Sequence, residues 1–358
     1  MKTAVVSFFD AYPPKSGAGV VICDFFNSWP DLNKCLFQMS AYKFNKDKIK
    51  NINIFFNKPI FKLFFLPSLI LKLLKYFNNE KKKILIIEGA SWIFYSYFVI
   101  FFLKKFLPNV FIIYRSHNIE YEIRKKRSSF FIYLATKYFE KKVFTISDIS
   151  TTVSVLEKKK VKKYYGVQTK LFPNSIRVND YLALKFNVVK NLPKKYILFC
   201  GSYEYSPNKF AIDFIINKIL PSISKKNIYL VLTGTAASIN FNDKNIINLH
   251  YVKKSQLKFL YKNAICLMVT LSEGYGTRVK IIESLILGSN IITTHKGIEG
   301  IDYKDNVRIV VTNSKKKMIK SIYNFMNSKS SKLKNSNKSI LKYYSMEKNA
   351  SRLYSIIK

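Results

Sequence analysis

At 358 residues the chain is too long for one ordinary core and comfortable for two domains, and 48% hydrophobic with 16% aromatic content excludes disorder as its main state. Its 61 basic and 21 acidic residues leave a net charge of +40, which raises nucleic acid and an anionic membrane as partners. Only seven of the basic residues are Arg; base reading in the major groove favours Arg, and no recognition motif is present, so no nucleic-acid partner is expected. The joint abundance of Lys, Asn, Ile and Phe is also what an AT-rich genome produces. Cys23, Cys35, Cys200 and Cys266 lack CxxC spacing, which fits a reducing cytoplasm and offers neither a zinc site nor a disulfide framework.

In chain order, the apolar stretch Thr3–Phe9 ends at Asp10 and is too short for a signal-peptide core, so it reads as a buried strand. The turn Tyr12–Gly19, with Gly17 and Gly19, leads into the apolar run Val20–Trp29. Strand, glycine-rich loop and helix open a βαβ unit. Ile54–Phe77 interleaves Phe and Leu with Lys and two Pro, a pattern that suits either an interfacial helix or a core helix with solvated lysines. A strand Lys83–Glu88, a helix over Ser91–Lys105 and strands Val110–Arg115 and Thr151–Val155 continue the alternation. The uncharged run Trp92–Leu103 falls well short of the ~20 residues that span a bilayer.

The pattern resets once, after an aperiodic connector. Strands are expected at Tyr196–Cys200, Ile228–Thr233, Ile265–Thr270 and Asn290–Thr294, with helices at Asn208–Ile219, Ser255–Asn263 and Arg278–Leu287. The expected fold is therefore α/β, two Rossmann-like doubly wound domains with mostly parallel sheets facing across a cleft. The domains are residues 1–178 and 195–340, joined by a linker at 179–194, with 341–358 as a final helix.

Chemistry concentrates in Leu271–Gly288. There a strand ends, a loop holds Gly274 and Gly276, and a helix is expected to begin near Thr277. Such a loop lets backbone amides approach a phosphate, and a helix N-terminus adds about half a positive charge. Arg278 and Lys280 put cations in the same first turn, where a departing diphosphate would need them. Glu283 stands where a carboxylate can accept hydrogen bonds from ribose hydroxyls. A tight turn is the plainer reading of the glycines alone.

These segments resemble, in order, the retaining GT-B glycosyltransferases of family 4. Gly201-Ser202-Tyr203 followed by Ser206-Pro207-Asn208, then Thr233-Gly234-Thr235, match the family's first two C-terminal strand ends. Tyr275-Gly276-Thr277-Arg278 through Glu283 is similar to its donor motif in the variant reading GTRLKILE, and Gly297 to Gly300 to its GxEG loop. Pro13 to Gly19, Ser116-His117-Asn118, Phe172-Pro173-Asn174 and Tyr344-Ser345-Met346 complete the series.

The resemblance implies a metal-independent transfer of sugar from a UDP- or GDP-sugar to a saccharide or lipid-linked acceptor, with no cofactor, in bacterial surface polysaccharide synthesis. The donor would lie mainly on the C-terminal domain. His117, Arg278 and Lys280 would be catalytic, and Gly17, Gly19, Gly201, Ser202, Asn208, Gly234, Tyr275, Gly276, Thr277 and Glu283 would bind substrate. The last helix would cross back to the N-terminal domain. Peripheral attachment to the inner face of an anionic cytoplasmic membrane is expected with it. Two departures stand out. Tyr275 occupies the place of the family's first glutamate, with Glu273 two residues early, and Ser202 stands where many relatives carry Arg, with Lys209 a loose stand-in for their Lys. An inactive sugar-nucleotide-binding partner subunit and a sugar-nucleotide epimerase remain as alternatives. Among the other histidines, His295 ranks below His117 and His250 is expected to be structural.

Overall fold

The computed structural model of the chain describes residues 1–14, 16–41, 47–54, 59–234, 239, 241–274, 276–303, 308–327 and 338–357. It divides into two compact units, Met1–Ile176 with Met346–Lys358, and Arg177–Ser345. Tyr275 of the expected donor motif lies outside the described residues.

The first unit holds seven strands: β1 Lys2–Ser7, β2 Lys34–Ser40, β3 Ile49–Asn53, β4 Lys83–Gly89, β5 Val110–Ser116, β6 Ile149–Thr152 and β7 Lys170–Leu171. They pair in the order β3-β2-β1-β4-β5-β6-β7, and every pairing is parallel. Helices cover both faces of a parallel sheet, so its central strands read as unbroken apolar runs. Ile84 to Ile87 of β4 are fully buried. The helix Gly17–Ser28 starts where the Ser16 hydroxyl accepts the Gly19 N–H at 3.1 Å. On it packs the last helix, Met346–Ser355, with the Trp29 and Tyr354 rings edge to face at 5.3 Å and Asn349 donating to Ser175 Oγ at 2.9 Å.

The second unit holds β8 Tyr196–Cys200, β9 Tyr229–Thr233, β10 Ile246–Asn248, β11 Cys266–Val269, β12 Ile291–Thr293 and β13 Ile309–Val311. Their order, β10-β9-β8-β11-β12-β13, is again all parallel. The stretch expected as an open connector begins as a helix, Val178–Ala183, and is tied to this unit by Lys258, whose Nζ donates to the Leu182 and Leu184 carbonyls at 2.8 and 2.7 Å. The expected helix Asn208–Ile219 is Ser206–Phe214 continued by a π-helical turn, Ile215–Ile219.

Packing bears on the amphipathic segment before β4. Of the two readings of Ile54–Phe77, burial over the described Leu66–Phe77 supports the core helix, although Phe64 and Leu71 are exposed. In the helix Leu66–Phe77 the residues Leu66, Leu69, Ile70, Leu73 and Phe77 recur at helical spacing and are all buried. Lys62 is buried too, its Nζ donating to the Phe8 carbonyl at 2.8 Å. The stripe is therefore core. Among the described residues, no helix is long and apolar enough to cross a membrane.

Candidate active site

In each sheet the strand order reverses beside one strand, β1 or β8, and a crevice opens at the carboxyl ends of the strands there. In the second unit this is where the expected residues converge. Gly201 follows β8 with φ of 148°, and a Cβ there would stand 2.6 Å from Asn208 Nδ2. Its N–H donates to the Thr233 carbonyl at 2.8 Å, while Gly234, at φ 82°, donates to the His250 carbonyl at 2.6 Å. These two turns touch backbone to backbone, which side chains would prevent. His250 thus serves through its carbonyl, which also accepts from Thr233 Oγ1 at 2.9 Å, as its structural assignment implied.

Asn208 locks the next layer. Its Nδ2 donates to the Ser202 carbonyl at 2.9 Å, and its Oδ1 accepts from Lys280 Nζ at 3.4 Å. Lys280 Nζ also donates to the Cys200 carbonyl and lies 4.5 Å from the centre of the Phe199 ring. Burial brings the Lys280 ammonium down to about 8; Cys200 opposes that fall and Arg278 adds to it. Arg278 is buried, and its guanidinium donates to the Gly276 carbonyl and, at 3.5 Å, to that of Lys296. Burial lowers its pKa, against the pull of Tyr205 and Glu299. The helix begins at Val279, two residues past Thr277, so Arg278 is its cap and Lys280 stands in its first turn. Thr277 Oγ1 is buried without a hydrogen-bond partner.

No carboxylate pairs with Arg278 or Lys280 among the described residues; their bonds all end on neutral oxygens. A buried guanidinium and a half-buried ammonium, with no described carboxylate at ion-pair distance and Glu299 acting on Arg278 only from further off, make an anion site beside a helix N-terminus. Other expected residues stand apart. Glu283 is buried and accepts a hydrogen bond from Tyr261 at 3.2 Å. Ser202 Oγ caps its own turn, accepting from Glu204 N–H at 3.2 Å. Lys209 lies over the Tyr203 ring at 5.7 Å, Glu273 is exposed, and His295 takes Asn313 Oδ1 through its backbone at 3.3 Å.

In the first unit Gly17 and Gly19 form the first turn after the β1 loop, and a Cβ on Gly17 would meet nothing within 4 Å. His117 follows β5, and its Nε2 lies 2.6 Å from Glu88 Oε2. Glu88 also binds the Arg115 guanidinium, which is held between the rings of Phe25 and Phe172 at 3.6 and 4.5 Å. Burial pushes the Glu88 carboxyl up, but Arg115 and His117 outweigh it and hold it below the usual value. An ionised Glu88 makes Nε2–H the donor and leaves Nδ1 outside that bond. Sequence reasoning missed Glu88. Its signal was an acid ending the apolar run of β4, in register with Arg115 on β5.

Beyond the ends of β4 and β5 lies a cavity of about 320 Å³ whose lining includes Trp92, Asn118, Glu120 and Arg124. Arg124 lies over the Trp92 ring at 5.2 Å and forks onto Glu120 Oε1 at 3.0 and 2.9 Å. A larger cavity of about 740 Å³, lined by Lys2, Lys50, Lys72 and Lys75, opens where β1 and β3 begin, at the wrong ends of the strands for this chemistry.

Residues 194–328 match the family model for glycosyl transferases group 1. The matched segment takes in most of the second unit, which is thus similar to the group 1 glycosyl transferases. With the cation pair inside that segment, the chain is a glycosyltransferase. No curated protein sequence matches it. Its fold is similar to sucrose-phosphate synthase from Thermosynechococcus elongatus, with a TM-score of 0.75 at 13% identity over 100% of this chain and 98% of that one. Trehalose-6-phosphate synthase OtsA and Anabaena HepE in complex with UDP and glucose each give a TM-score of 0.70 at 9% identity, over 100% of this chain and 99% of theirs. These likenesses establish the GT-B fold.

Proposed function

We propose that this glycosyltransferase moves a sugar from a UDP- or GDP-sugar to a saccharide or lipid-linked acceptor, with retention of anomeric configuration and without a metal ion. The observation that carries the reading is the pair Arg278, buried, and Lys280, half-buried, both bonded only to neutral oxygens at the β8–β11 switch point. As the bond from the sugar C1 to the phosphate oxygen breaks, negative charge grows on the diphosphate. Preorganised cations aimed at that charge stabilise the transition state, each by about 3–4 kcal/mol. Together with the helix N-terminus they supply what a divalent cation supplies in metal-dependent transferases. The acceptor hydroxyl oxygen then bonds to C1 on the same face, and its proton passes to the departing phosphate oxygen.

On the first unit, His117 is oriented by Glu88 and offers Nδ1 to a sugar hydroxyl. The cavity at Trp92 suits an acceptor saccharide, since an aromatic ring presents an apolar face and Glu120 and Arg124 present polar atoms. HepE was crystallised with UDP and glucose, which makes UDP-glucose the first donor to try. Surface polysaccharide assembly on a lipid carrier is the setting this reading favours. The test incubates the purified chain with UDP- and GDP-sugars without added metal and follows products by mass. Transfer to an oligosaccharide acceptor, lost in Arg278→Ala, is expected. Normal turnover by Arg278→Ala overturns the mechanism, donor binding without turnover points to an inactive partner subunit, and conversion of the donor to its epimer points to an epimerase.

A further inference from the structure

The first unit presents an outward face that its own fold does not need. The helices Ile93–Phe106 and Phe130–Ile146 pack side by side, joined by Phe139, whose ring meets Tyr97 at 4.8 Å and Phe94 at 5.1 Å. Each helix already buries one stripe, Val99, Ile100 and Leu103 on the first and Thr136, Glu140, Val143 and Phe144 on the second. The opposite sides are apolar as well. Phe131, Leu134 and Tyr138 recur at i, i+3 and i+7 along the second helix and are exposed, Phe131 by 81%. Phe130, 65% exposed, lies beside Phe131 with ring centres 6.1 Å apart, and Phe101 of the first helix is exposed as well. A helix that serves only as a cover puts polar residues on that side.

Charge decides what fits there. Lys105, Lys141 and Lys142 are exposed at the margins, with Lys125 and Lys126 on the preceding helix. The two helices hold a single carboxylate, Glu140, and it is buried, bonded to Tyr165 and to the amides of Glu120 and Tyr121. Exposed aromatic residues framed by lysine, with no outward acid on either helix and Asp148 just beyond them paired to Lys104 at 3.5 Å, are the chemistry of an interfacial membrane contact. We propose that this face docks on an anionic lipid bilayer, with the aromatic side chains entering the headgroup region and the lysines at the phosphates. The proposal relocates the membrane contact from Leu66–Phe77, whose stripe is spent on the core. It is independent of the identity of the donor.

The experiment is flotation of the full chain with vesicles of phosphatidylcholine alone or mixed equally with phosphatidylglycerol. The wild type is expected to float with the mixed vesicles and to retain part of its binding at high salt. A Phe131→Ser/Leu134→Ser/Tyr138→Ser variant should bind at least about tenfold more weakly, and Lys141→Ser/Lys142→Ser about fivefold more weakly per lysine. A Phe64→Ser/Leu71→Ser control, at exposed positions outside this face, should float like the wild type. Because all the altered side chains are exposed, unchanged thermal melting identifies variants that fold. Equal flotation by the wild type and the aromatic variant, showing attraction by net charge alone, overturns the proposal. So does a wild-type dimer in sedimentation that the same substitutions split, since the face would then belong to a second copy.

Discussion

Each unit holds a buried cluster of charge at the carboxyl ends of its strands, and the two are built to opposite ends. In the first, Arg115 meets a carboxylate, and the cluster is neutralised among Phe25, Phe172 and the β4–β5 ladder. In the second, Arg278 and Lys280 bond only to carbonyl and amide oxygens, and Glu299, which acts on Arg278 from further off, is itself paired with Lys296, so most of their charge is left over. Burying a cation without a counter-ion is unfavourable, which is why the free Lys280 ammonium falls to about 8. A protein sustains such an arrangement where a ligand brings the missing anion. The paired cluster holds the fold and orients His117; the unpaired one awaits a substrate.

The sharpest way to break this contrast is to remove one member of the neutral cluster. Arg115→Ala leaves Glu88 buried with only His117 beside it and should destabilise the first unit by about 3 kcal/mol. Both tryptophans, Trp29 and Trp92, lie in that unit, so urea unfolding followed by their emission reads it selectively. Affinity of the folded protein for a nucleoside diphosphate should be unchanged. Loss of nucleotide affinity with normal stability would reverse the assignment of roles.

Arg278→Ala should do the opposite. Tryptophan-detected stability of the first unit should stay within about 0.5 kcal/mol of wild type, because Arg278 belongs to the second unit and its hydrogen bonds end on that unit's own carbonyls. Turnover should fall about 10²- to 10³-fold if the guanidinium meets growing charge in the transition state. A rise in KM with kcat unchanged would instead show uniform binding of donor and transition state.

How far these roles were legible beforehand follows from the range of the interactions. The alternation of apolar runs with helical segments shows the doubly wound class, because strands such as Tyr196–Cys200 are buried on both faces and contain no charge. β2 and β3 escaped notice since Lys34, Lys50 and the short run around them blunt the apolar signal, and β10 and β13 have three residues each. Gly201, Asn208, Gly234, Arg278 and Lys280 were legible as a set, and the structure brings them together across 80 residues of sequence. Glu283 was assigned to the same set from spacing, yet its side chain turns inward to Tyr261, a direction that spacing along a helix does not give. The exposed aromatic face was hidden for a related reason: apolar residues on all sides of a helix look like core until the partner surfaces are counted.

Gly201→Ala probes how tightly the second cluster is built. The substitution puts a Cβ at φ of 148° and 2.6 Å from Asn208 Nδ2, so Asn208 must release either the Ser202 carbonyl or Lys280. Strain of about 1–3 kcal/mol is expected, read as weaker nucleotide binding in calorimetry. Adding Asn208→Ala, which clears the space, should recover part of the loss. No recovery would mean that backbone strain at Gly201, not its contact with Asn208, sets the geometry.

The smallest effect is the most diagnostic, because it carries two opposite signs. Lys280 in the free protein titrates near 8, below its ordinary 10.5, chiefly through burial. Affinity for a diphosphate needs the charged form, so kcat/KM for the donor should fall as pH rises through about 8, by at most about tenfold per pH unit. Stability should move the other way. Between about 8 and 10.5 the unfolded chain holds the Lys280 proton and the folded chain does not, so the second unit gains stability as pH rises through that window. A carboxylate-paired lysine, with its pKa raised on folding, would instead lose stability at high pH while keeping its charge. In Lys280→Arg the cation persists throughout, and both slopes attributed to this position should vanish together. If the fall in kcat/KM near pH 8 survives that substitution, the titrating group lies elsewhere and Lys280 is not the donor's partner.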